Sequence, residues 1–348
     1  MSKRSQNGVQ WEVSFCKWLW LVALVVILGT LFLWSQAQQL KPPPVTRTDN
    51  VKEMLHGVEI VDPYRWLEDQ ESPETRTWID AQNEYSHSMI DSLPGREKLA
   101  QRLTELMKID RISMPRARNG RYFLYKRSAD QEQWVIYTRK GLEGEDEVLI
   151  DPHPMSPDRT TSVSLLDVSK DGTLMAYGVR QGGEDEIAVR LFDVDRRTDL
   201  PDRLPKARYF GVSIEPDNDG YYYTRHGVDG GRIYYHAMGT DPADDVEIFG
   251  EGYGPEKILF ASLSEDGRYL VIHVMHGSAA QRSEIYYQDL TKQVPIVPIV
   301  NDIDARFFGE VAGDKLFMQT NWEAPNGRIL VVDLNLSLIH ISEPTRPY

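Results

Sequence analysis

The chain has 348 residues, 41% of them hydrophobic and 26% charged, which is the composition of a folded protein long enough for more than one domain. Its net charge of −14 argues against a nucleic-acid partner, because phosphates would be repelled. The single cysteine, Cys16, precedes a long apolar segment. The rest of the chain therefore cannot form a disulfide and depends on core burial for its stability.

The N-terminus predicts a membrane-spanning helix. Residues 18–34 contain no charge and follow a basic flank, residues 1–17. Such a helix would be about 25 Å long, slightly shorter than a hydrocarbon core of about 30 Å. The basic flank predicts a cytoplasmic N-terminus and export of the remaining chain to the periplasmic or extracellular face. Small residues at Ser35 and Ala37 leave a cleaved signal peptide open beside an uncleaved anchor.

A proline-rich spacer, residues 35–49, leads into a predicted helical segment, residues 50–110. Ser72 is a suitable N-cap, with Pro73 at the first helical position. An apolar stripe at helical spacing continues from there and comprises Trp78, Ile79, Tyr85, Met89 and Leu93. A second helix is predicted from Arg96 to Lys108, with its three leucines, Leu99, Leu103 and Leu106, facing inward.

Residues 111–335 repeat one unit, which is clearest at residues 264–290. There a tight Asp266-Gly267 turn precedes an alternating strand, and a second strand follows a polar loop. Equivalent turns carry marker glycines that are 46 to 52 residues apart, namely Gly120, Gly172, Gly220, Gly267 and Gly313. A period of roughly 40 to 50 residues with short strands is typical of a four-stranded propeller blade.

A β-sandwich is the competing fold, since its strands also recur at short spacing. The joint recurrence of both halves of the unit over the whole region favours a propeller. Tyrosines in 221–223 and 234–235 alternate with the strand period, so some of them are predicted to pack between blades.

Several strings carry a resemblance. D-P-Y-R-W-L-E-D at residues 62–69, E-T-R-T-W-I-D-A-Q-N from Glu74, G-Y-G-P-E-K-I from Gly252 and T-N-W-E-A-P-N-G-R-I from Thr320 are similar to segments of the prolyl oligopeptidase family of serine peptidases. The resemblance implies a mainly β chain, with about five of seven four-stranded blades after a short helical segment. It also implies an α/β-hydrolase domain, which this sequence lacks.

The same resemblance implies a serine endopeptidase that cleaves short peptides after proline, with the propeller gating access and without cofactor or metal. A Gly-x-Ser-x-Gly elbow would carry the nucleophile, but no serine in the chain lies in that pattern; G-V-S-I-E from Gly211 comes nearest. We therefore assign no catalytic residue and predict that the chain is inactive and poorly soluble. The alternative is an exported, non-catalytic propeller that binds a ligand or protein partner.

Residues 336–348, which begin L-S-L-I-H-I-S, have no blade character and resemble the in-frame translation of a sequencing adapter. We expect this tail to be foreign to the protein.

Other candidate sites are weak. His273 and His276 lie three apart on a strand, so they are expected to face opposite sides and not to share a metal. The acidic loop formed by Asp241, Asp244, Asp245 and Glu247 lacks calcium-loop spacing and is predicted to be a solvated turn. The pairs Gly182-Gly183 and Gly230-Gly231 are predicted to be turns. Substrate-binding residues stay unknown, with Arg282 and Gln288 the weak candidates.

Overall fold

The computed structural model describes residues 42–292 and 294–336, which form two compact units; the first ends at Glu105 and the second begins at Leu106. The predicted membrane helix at residues 18–34, its basic flank and nearly all of the predicted foreign tail lie outside the described residues. Within the described ranges, none of the helices combines the length and the apolar character needed to cross a membrane.

The first unit begins with a hairpin that the sequence analysis missed. It contains strands β1 (Val51–Leu55) and β2 (Val58–Asp62). His56 and Gly57 both take positive φ, at 50° and 80°, and form the two-residue turn between the strands. Nearly every residue of both strands is exposed. Because neither face of the hairpin is buried, its sequences, V-K-E-M-L and V-E-I-V-D, lack the sustained alternation of apolar and polar residues that identifies a half-buried strand.

Helix α1 (Pro73–Ile90) begins at the predicted residue, with Pro73 in its first turn. Ser72 occupies the N-cap position, as predicted, but its side chain makes no capping hydrogen bond. The backbone amide of Ser72 donates to Oδ1 of Asp69 at 3.2 Å. The predicted stripe is half-buried up to Met89, whereas Leu93 is exposed.

The D-P-Y-R-W-L-E-D string has a structural role in the first unit. Asp62 accepts hydrogen bonds from the Tyr64 amide at 2.8 Å and from Arg65 Nε at 2.9 Å. Arg65 also reaches Glu53 of β1 at 2.8 Å. Trp66 packs edge-on against Trp78 of α1, with ring centroids 6.4 Å apart. The string therefore ties the hairpin to the helix.

Helix α2 (Arg96–Met107) forms where it was predicted. Its leucines do not face inward, however, because Leu99, Leu103 and Leu106 are 61%, 52% and 53% exposed. Helical spacing placed them on one stripe correctly, but a stripe is buried only when another element covers it. None of the described residues buries this one.

The second unit is built almost entirely of antiparallel strands. In chain order they are β3 (Arg111–Ile112), β4 (Arg116–Arg118), β5 (Arg121–Arg127), β6 (Val135–Lys140), β7 (Glu147–Ile150), β8 (Ser162–Val168), β9 (Leu174–Arg180), β10 (Ile187–Asp193), β11 (Thr198–Ile214), β12 (Gly220–Gly227), β13 (Gly230–Ala237), β14 (Val246–Phe249), β15 (Lys257–Leu263), β16 (Tyr269–His276), β17 (Ser283–Asp289), β18 (Val297–Val300), β19 (Phe307–Ala312), β20 (Lys315–Thr320) and β21 (Arg328–Asp333).

These strands form five successive blades in the described residues. Blade 1 contains β3 to β7, blade 4 contains β15 to β18, and blade 5 contains β19 to β21. The strands β8 to β14 form one continuous sheet, because the long strand β11 belongs to two blades. Its first half pairs with β10 and completes blade 2, whereas its second half pairs with β12 and opens blade 3. The predicted repeat of four-stranded units is confirmed for most of its length.

Apolar side chains fill the seams between consecutive blades. Phe123 and Ile136 of blade 1 pack against Met175 and Tyr177 of blade 2. Three further clusters occupy the seams of blades 2 and 3, 3 and 4, and 4 and 5. Each internal blade thus buries both of its faces on neighbours. A sandwich of two facing sheets would instead bury one face of each sheet, so the sandwich alternative is excluded.

The marker glycines are mostly, but not all, turn residues. Gly172 and Gly267 have φ of 74° and 73° and follow a serine whose hydroxyl closes the turn. Gly220 is not a turn residue, because Asn218 takes the positive φ in that unit. Gly220 lies in β12, where an added Cβ would approach Tyr235 Oη to 2.3 Å. The alignment of the third unit on Gly220 was therefore wrong by two residues.

The outward face of blade 5 is apolar and exposed. Phe317 and Ile329 alternate along β20 and β21 with residues buried against blade 4, and they are 41% and 50% exposed. This agrees with the expectation that an incomplete ring leaves an inter-blade face uncovered.

Candidate functional site

The turns that join the first and second strands of blades 2, 3 and 4 meet at one end of the second unit, which we call the turn end (residues 169–174, 215–219 and 264–268). Asn218 Nδ2 donates to Asp171 Oδ2 at 2.9 Å and links blades 3 and 2. Lys170 Nζ lies 2.6 Å from Glu265 Oε2 and joins blade 2 directly to blade 4. The turns of the non-adjacent blades 2 and 4 therefore contact each other at this end.

A partly buried carboxylate connects the first strands of three blades. Asp167 of β8 accepts from Arg116 of β4 at 3.0 Å and from the Ile214 amide of β11 at 2.9 Å. Burial raises the pKa of Asp167, and these two donors oppose that effect by stabilising the ionised form. The contact fixes the positions of the strands that lie innermost in blades 1 to 3.

A cavity of about 370 Å³ lies at the opposite end, which we call the loop end, between blades 4 and 5. Its walls come from the β16–β17 hairpin, from the start of β19 and from the β20–β21 hairpin. The lining residues are Met275, Ala280, Ser283, Arg306, Phe307, Phe308, Gln319, Thr320, Asn321, Pro325, Asn326 and Gly327. Arg306 is the one charged residue among them.

A fully buried histidine lies between two carboxylates at the seam of blades 2 and 3. His236 Nδ1 is 2.7 Å from Asp245 Oδ1, and its Nε2 is 3.4 Å from Asp202 Oδ1. The Tyr223 hydroxyl donates to the second oxygen of Asp245 at 2.7 Å. Tyr221 packs over the imidazole at 4.7 Å. With no solvent access, this cluster is a structural tie and not a reactive site.

A second buried carboxylate, Glu284, lies in blade 4. It accepts hydrogen bonds from the hydroxyls of Tyr253 and Tyr286 at 2.6 and 2.9 Å, and it lies 2.6 Å from His276 Nε2. Burial alone would raise the pKa of Glu284, but these three groups hold it below its usual range. The cluster attaches the Tyr253 linker, which precedes β15, to blade 4.

The two histidines of β16 have separate partners. His273 is buried, and its Nε2 accepts from the Gly309 amide at 3.1 Å, whereas His276 contacts Glu284. They do not approach a common point, in agreement with the strand geometry. In the part of the chain that the structure describes, no group of three histidine, cysteine, aspartate or glutamate residues could hold a metal ion.

The acidic loop is only partly the solvated turn that was predicted. Asp241 caps a single helical turn by accepting from the Ala243 amide at 2.9 Å. The carboxylate of Asp245, in contrast, is 2% exposed and contacts His236, so the prediction is wrong for this residue. The second carboxylate partner of His236, Asp202, is 34 residues away in the chain, so no local sequence signal could have revealed this cluster.

The remaining candidate residues serve their own surroundings. Arg282 Nη2 donates to the Asn301 carbonyl at 2.6 Å, and Gln288 Nε2 donates to the Val294 carbonyl at 2.7 Å. Neither residue lines the loop-end cavity. Gly182 and Gly183 take positive φ in the loop between β9 and β10, as predicted for a turn. Gly230 also has positive φ but begins β13, and Gly231 lies within that strand, so the prediction of a turn is wrong for this pair.

Four-stranded antiparallel blades that stack face to face define a β-propeller protein. A family model described as "Prolyl oligopeptidase, N-terminal beta-propeller domain" matches residues 43–343. The chain belongs to the prolyl oligopeptidase family. The recognition made from D-P-Y-R-W-L-E-D and the later strings is thereby confirmed.

Named relatives agree with this assignment. The prolyl endopeptidase of Elizabethkingia miricola is 29% identical over 300 residues, covering 82% of this chain and 42% of its own length. Prolyl oligopeptidase A of Amanita bisporigera is 26% identical, covering 84% and 44%. A solved prolyl endopeptidase, from work on inter-domain dynamics in catalysis and specificity, is 31% identical with a TM-score of 0.75, covering 85% and 45%. The chain therefore spans less than half the length of these relatives.

Proposed function

We propose that this chain is the N-terminal part of a prolyl oligopeptidase-like serine endopeptidase that hydrolyses short peptides on the carboxyl side of proline. Family membership through residues 43–343 is the observation that carries the proposal. The relatives named above are called prolyl endopeptidases and oligopeptidases, which supports the same reaction.

The hydrolytic groups would lie outside these 348 residues. A serine hydroxyl activated by histidine would attack the peptide carbonyl, and backbone amides would stabilise the oxyanion. The sequence has no Gly-x-Ser-x-Gly, so we expect the 348-residue chain to leave a proline-containing reporter peptide uncleaved.

The test compares two proteins, the 348-residue chain and the gene product read beyond Asn335. We expect the longer product alone to cleave a short proline-containing reporter peptide, and a serine-directed phosphonylating reagent to abolish that cleavage. Cleavage that persists after the reagent would overturn the serine mechanism. A longer product with no cleavage, or an early natural stop in the gene, would favour a ligand-binding propeller instead.

The propeller would act as a size filter in front of the catalytic groups. Support comes from the turn end, where the Lys170–Glu265 ion pair joins blades 2 and 4. Replacing both residues by alanine in the longer product should raise cleavage of long peptides relative to short ones. The matched control is the exposed Lys52–Glu59 pair on the β1–β2 hairpin, whose Nζ–Oε1 distance is 2.8 Å. An unchanged ratio of long to short peptides in the turn-end variant would rule out this gate.

We also propose that residues 18–34 anchor the protein in a membrane, with the propeller on the exported side. The uncharged run behind a basic flank supports this placement. In the native cell, the protein should stay with the membrane after an alkaline carbonate wash and should be digested by protease added outside the inner membrane. Release of the protein by the wash would contradict the anchor and favour a cleaved signal peptide instead.

A further inference from the structure

The Thr320–Gly327 string, which carried part of the family resemblance, divides into residues with and without a structural role. Thr320 Oγ1 accepts from the Trp322 amide at 3.0 Å and shapes the β20–β21 hairpin. Asn321 Oδ1 accepts from the Arg306 amide at 2.8 Å and holds the hairpin against the start of β19. These contacts account for the first part of the string.

Three exposed polar side chains that line the loop-end cavity have no partner within the protein. The Arg306 guanidinium, the Asn326 amide and the Gln319 amide make no hydrogen bond or ion pair with any residue in 42–292 or 294–336, and all three line the cavity. The nearby hydroxyl of Ser283 is already satisfied, because it contacts both the carbonyl and the amide of Phe307 at 2.7 Å. The cavity therefore offers donors that the protein itself leaves unused.

The lining also favours one sign of charge. It contains the Arg306 cation and no carboxylate, although the chain as a whole is strongly acidic. Met275, Phe308 and Pro325 supply apolar walls beside the guanidinium. A planar guanidinium binds a carboxylate through two parallel hydrogen bonds, and apolar walls accept the side chain that accompanies it. The volume of about 370 Å³ is near the lower limit for ligand sites and suits the end of a peptide.

We propose that this cavity binds a carboxylate carried by a peptide, with Arg306 as the anion partner and Asn326 as an additional donor. Two sources of that carboxylate are possible, the C-terminus of the peptide and an acidic side chain. The proposal rests on the peptide-handling function proposed above and adds a recognition point within the propeller.

The experiment measures binding of a fluorescein-labelled proline-containing hexapeptide to the 348-residue chain by fluorescence anisotropy at low salt. The peptide is made with a free C-terminal acid, with a C-terminal amide, and with a C-terminal amide plus one glutamate. We expect the free acid to bind about tenfold more tightly than the amide, as one charge-assisted hydrogen-bond pair provides. If the glutamate peptide binds as tightly as the free acid, any accessible carboxylate is the ligand. If it binds no more tightly than the plain amide, the ligand is the C-terminal carboxylate.

Two variants test the residues. Arg306→Gln should remove the preference for the acid, and Asn326→Asp, a nearly isosteric change, should reverse it by placing a like charge in the cavity. Arg180→Gln is the matched control, because Arg180 is an exposed arginine of β9 outside the cavity lining. Equal affinity for all three peptides, absence of binding, or an acid preference that survives Arg306→Gln would overturn the proposal. The hydrolysis assay on the longer product does not depend on the peptide terminus. A negative binding result would therefore overturn the cavity proposal without contradicting the proposed endopeptidase function.

Discussion

His273 carries a proton-sensitive contact between blades 4 and 5. Its side chain is 5% exposed, its Nε2 accepts the Gly309 amide of β19 at 3.1 Å, and its ring stacks on Phe308. An imidazolium could not accept that hydrogen bond. Replacing His273 by glutamine keeps an acceptor near the position of Nε2 but removes the titrating group, so the variant separates protonation from hydrogen bonding.

The magnitude follows from the pKa. Burial is the main cause that lowers the pKa of His273 to about 4 from its ordinary 6.5. Below about pH 6.5 the unfolded chain binds a proton that the folded chain refuses until about pH 4. The contribution of the neutral imidazole to the free energy of unfolding is therefore complete above pH 6.5. It is lost as the pH falls to 4, at about 1.4 kcal/mol per unit and about 3 kcal/mol in total.

The assay is urea unfolding of the 348-residue chain, followed by circular dichroism at several values between pH 7.5 and pH 4. Wild type and His273→Gln should differ in slope within this window, with the variant losing about 3 kcal/mol less between the two ends. His87→Gln serves as the control, because the His87 side chain is 72% exposed. Its slope should match that of the wild type.

Parallel slopes for wild type and His273→Gln would refute the reasoning. Such a result would mean that His273 is protonated at the same pH in the folded and unfolded chains, and hence that solvent reaches the seam between blades 4 and 5. A shift in stability at pH 7.5 without a change of slope would show that only packing was altered.

Three further outcomes are expected from urea unfolding. His236→Ala should lower the free energy of unfolding by about 3–5 kcal/mol at pH 7, since two buried carboxylates lose their partner, and a loss below about 1 kcal/mol would contradict the tie. Hydrogen bonds from Arg139 and Lys126 lower the pKa of Asp146 to about 2, so between pH 4 and pH 2 the wild type should lose about 1–2 kcal/mol more of its free energy of unfolding than Asp146→Asn does. Gly267→Ala should be more destabilising than Gly277→Ala: both glycines have positive φ, but only the first Cβ meets another residue, at 2.4 Å, and equal losses would exclude that clash.

The repeat and the family were readable from the sequence because both depend on local pattern. A hairpin turn needs a residue that tolerates positive φ, and Gly172 and Gly267 mark such turns wherever they occur. The third unit shows the limit of this signal. There Asn218 provides the positive φ, and the nearby Gly220 is required for a different reason, the close approach of Tyr235. A glycine alone does not reveal which of these constraints it satisfies.

The candidate site was less accessible to sequence reasoning. Arg282 and Gln288 were singled out by position along the repeat, yet both bond to carbonyls of their own surroundings. Arg306 and Asn326 were not singled out, because what distinguishes them is that they line a cavity and their side chains have no partner within the described residues. That property depends on how two blades pack together.

The sequence by itself determined the number and order of the blades, the helices before them and the family, since turn chemistry, strand alternation and helix start signals act over a few residues. Only the tertiary structure decided that Asp245 is buried with His236, that the leucines of α2 are exposed, and that a cavity opens between blades 4 and 5. The physical reason is that burial and charge pairing are set by which surfaces meet, and those surfaces come from residues far apart in the chain.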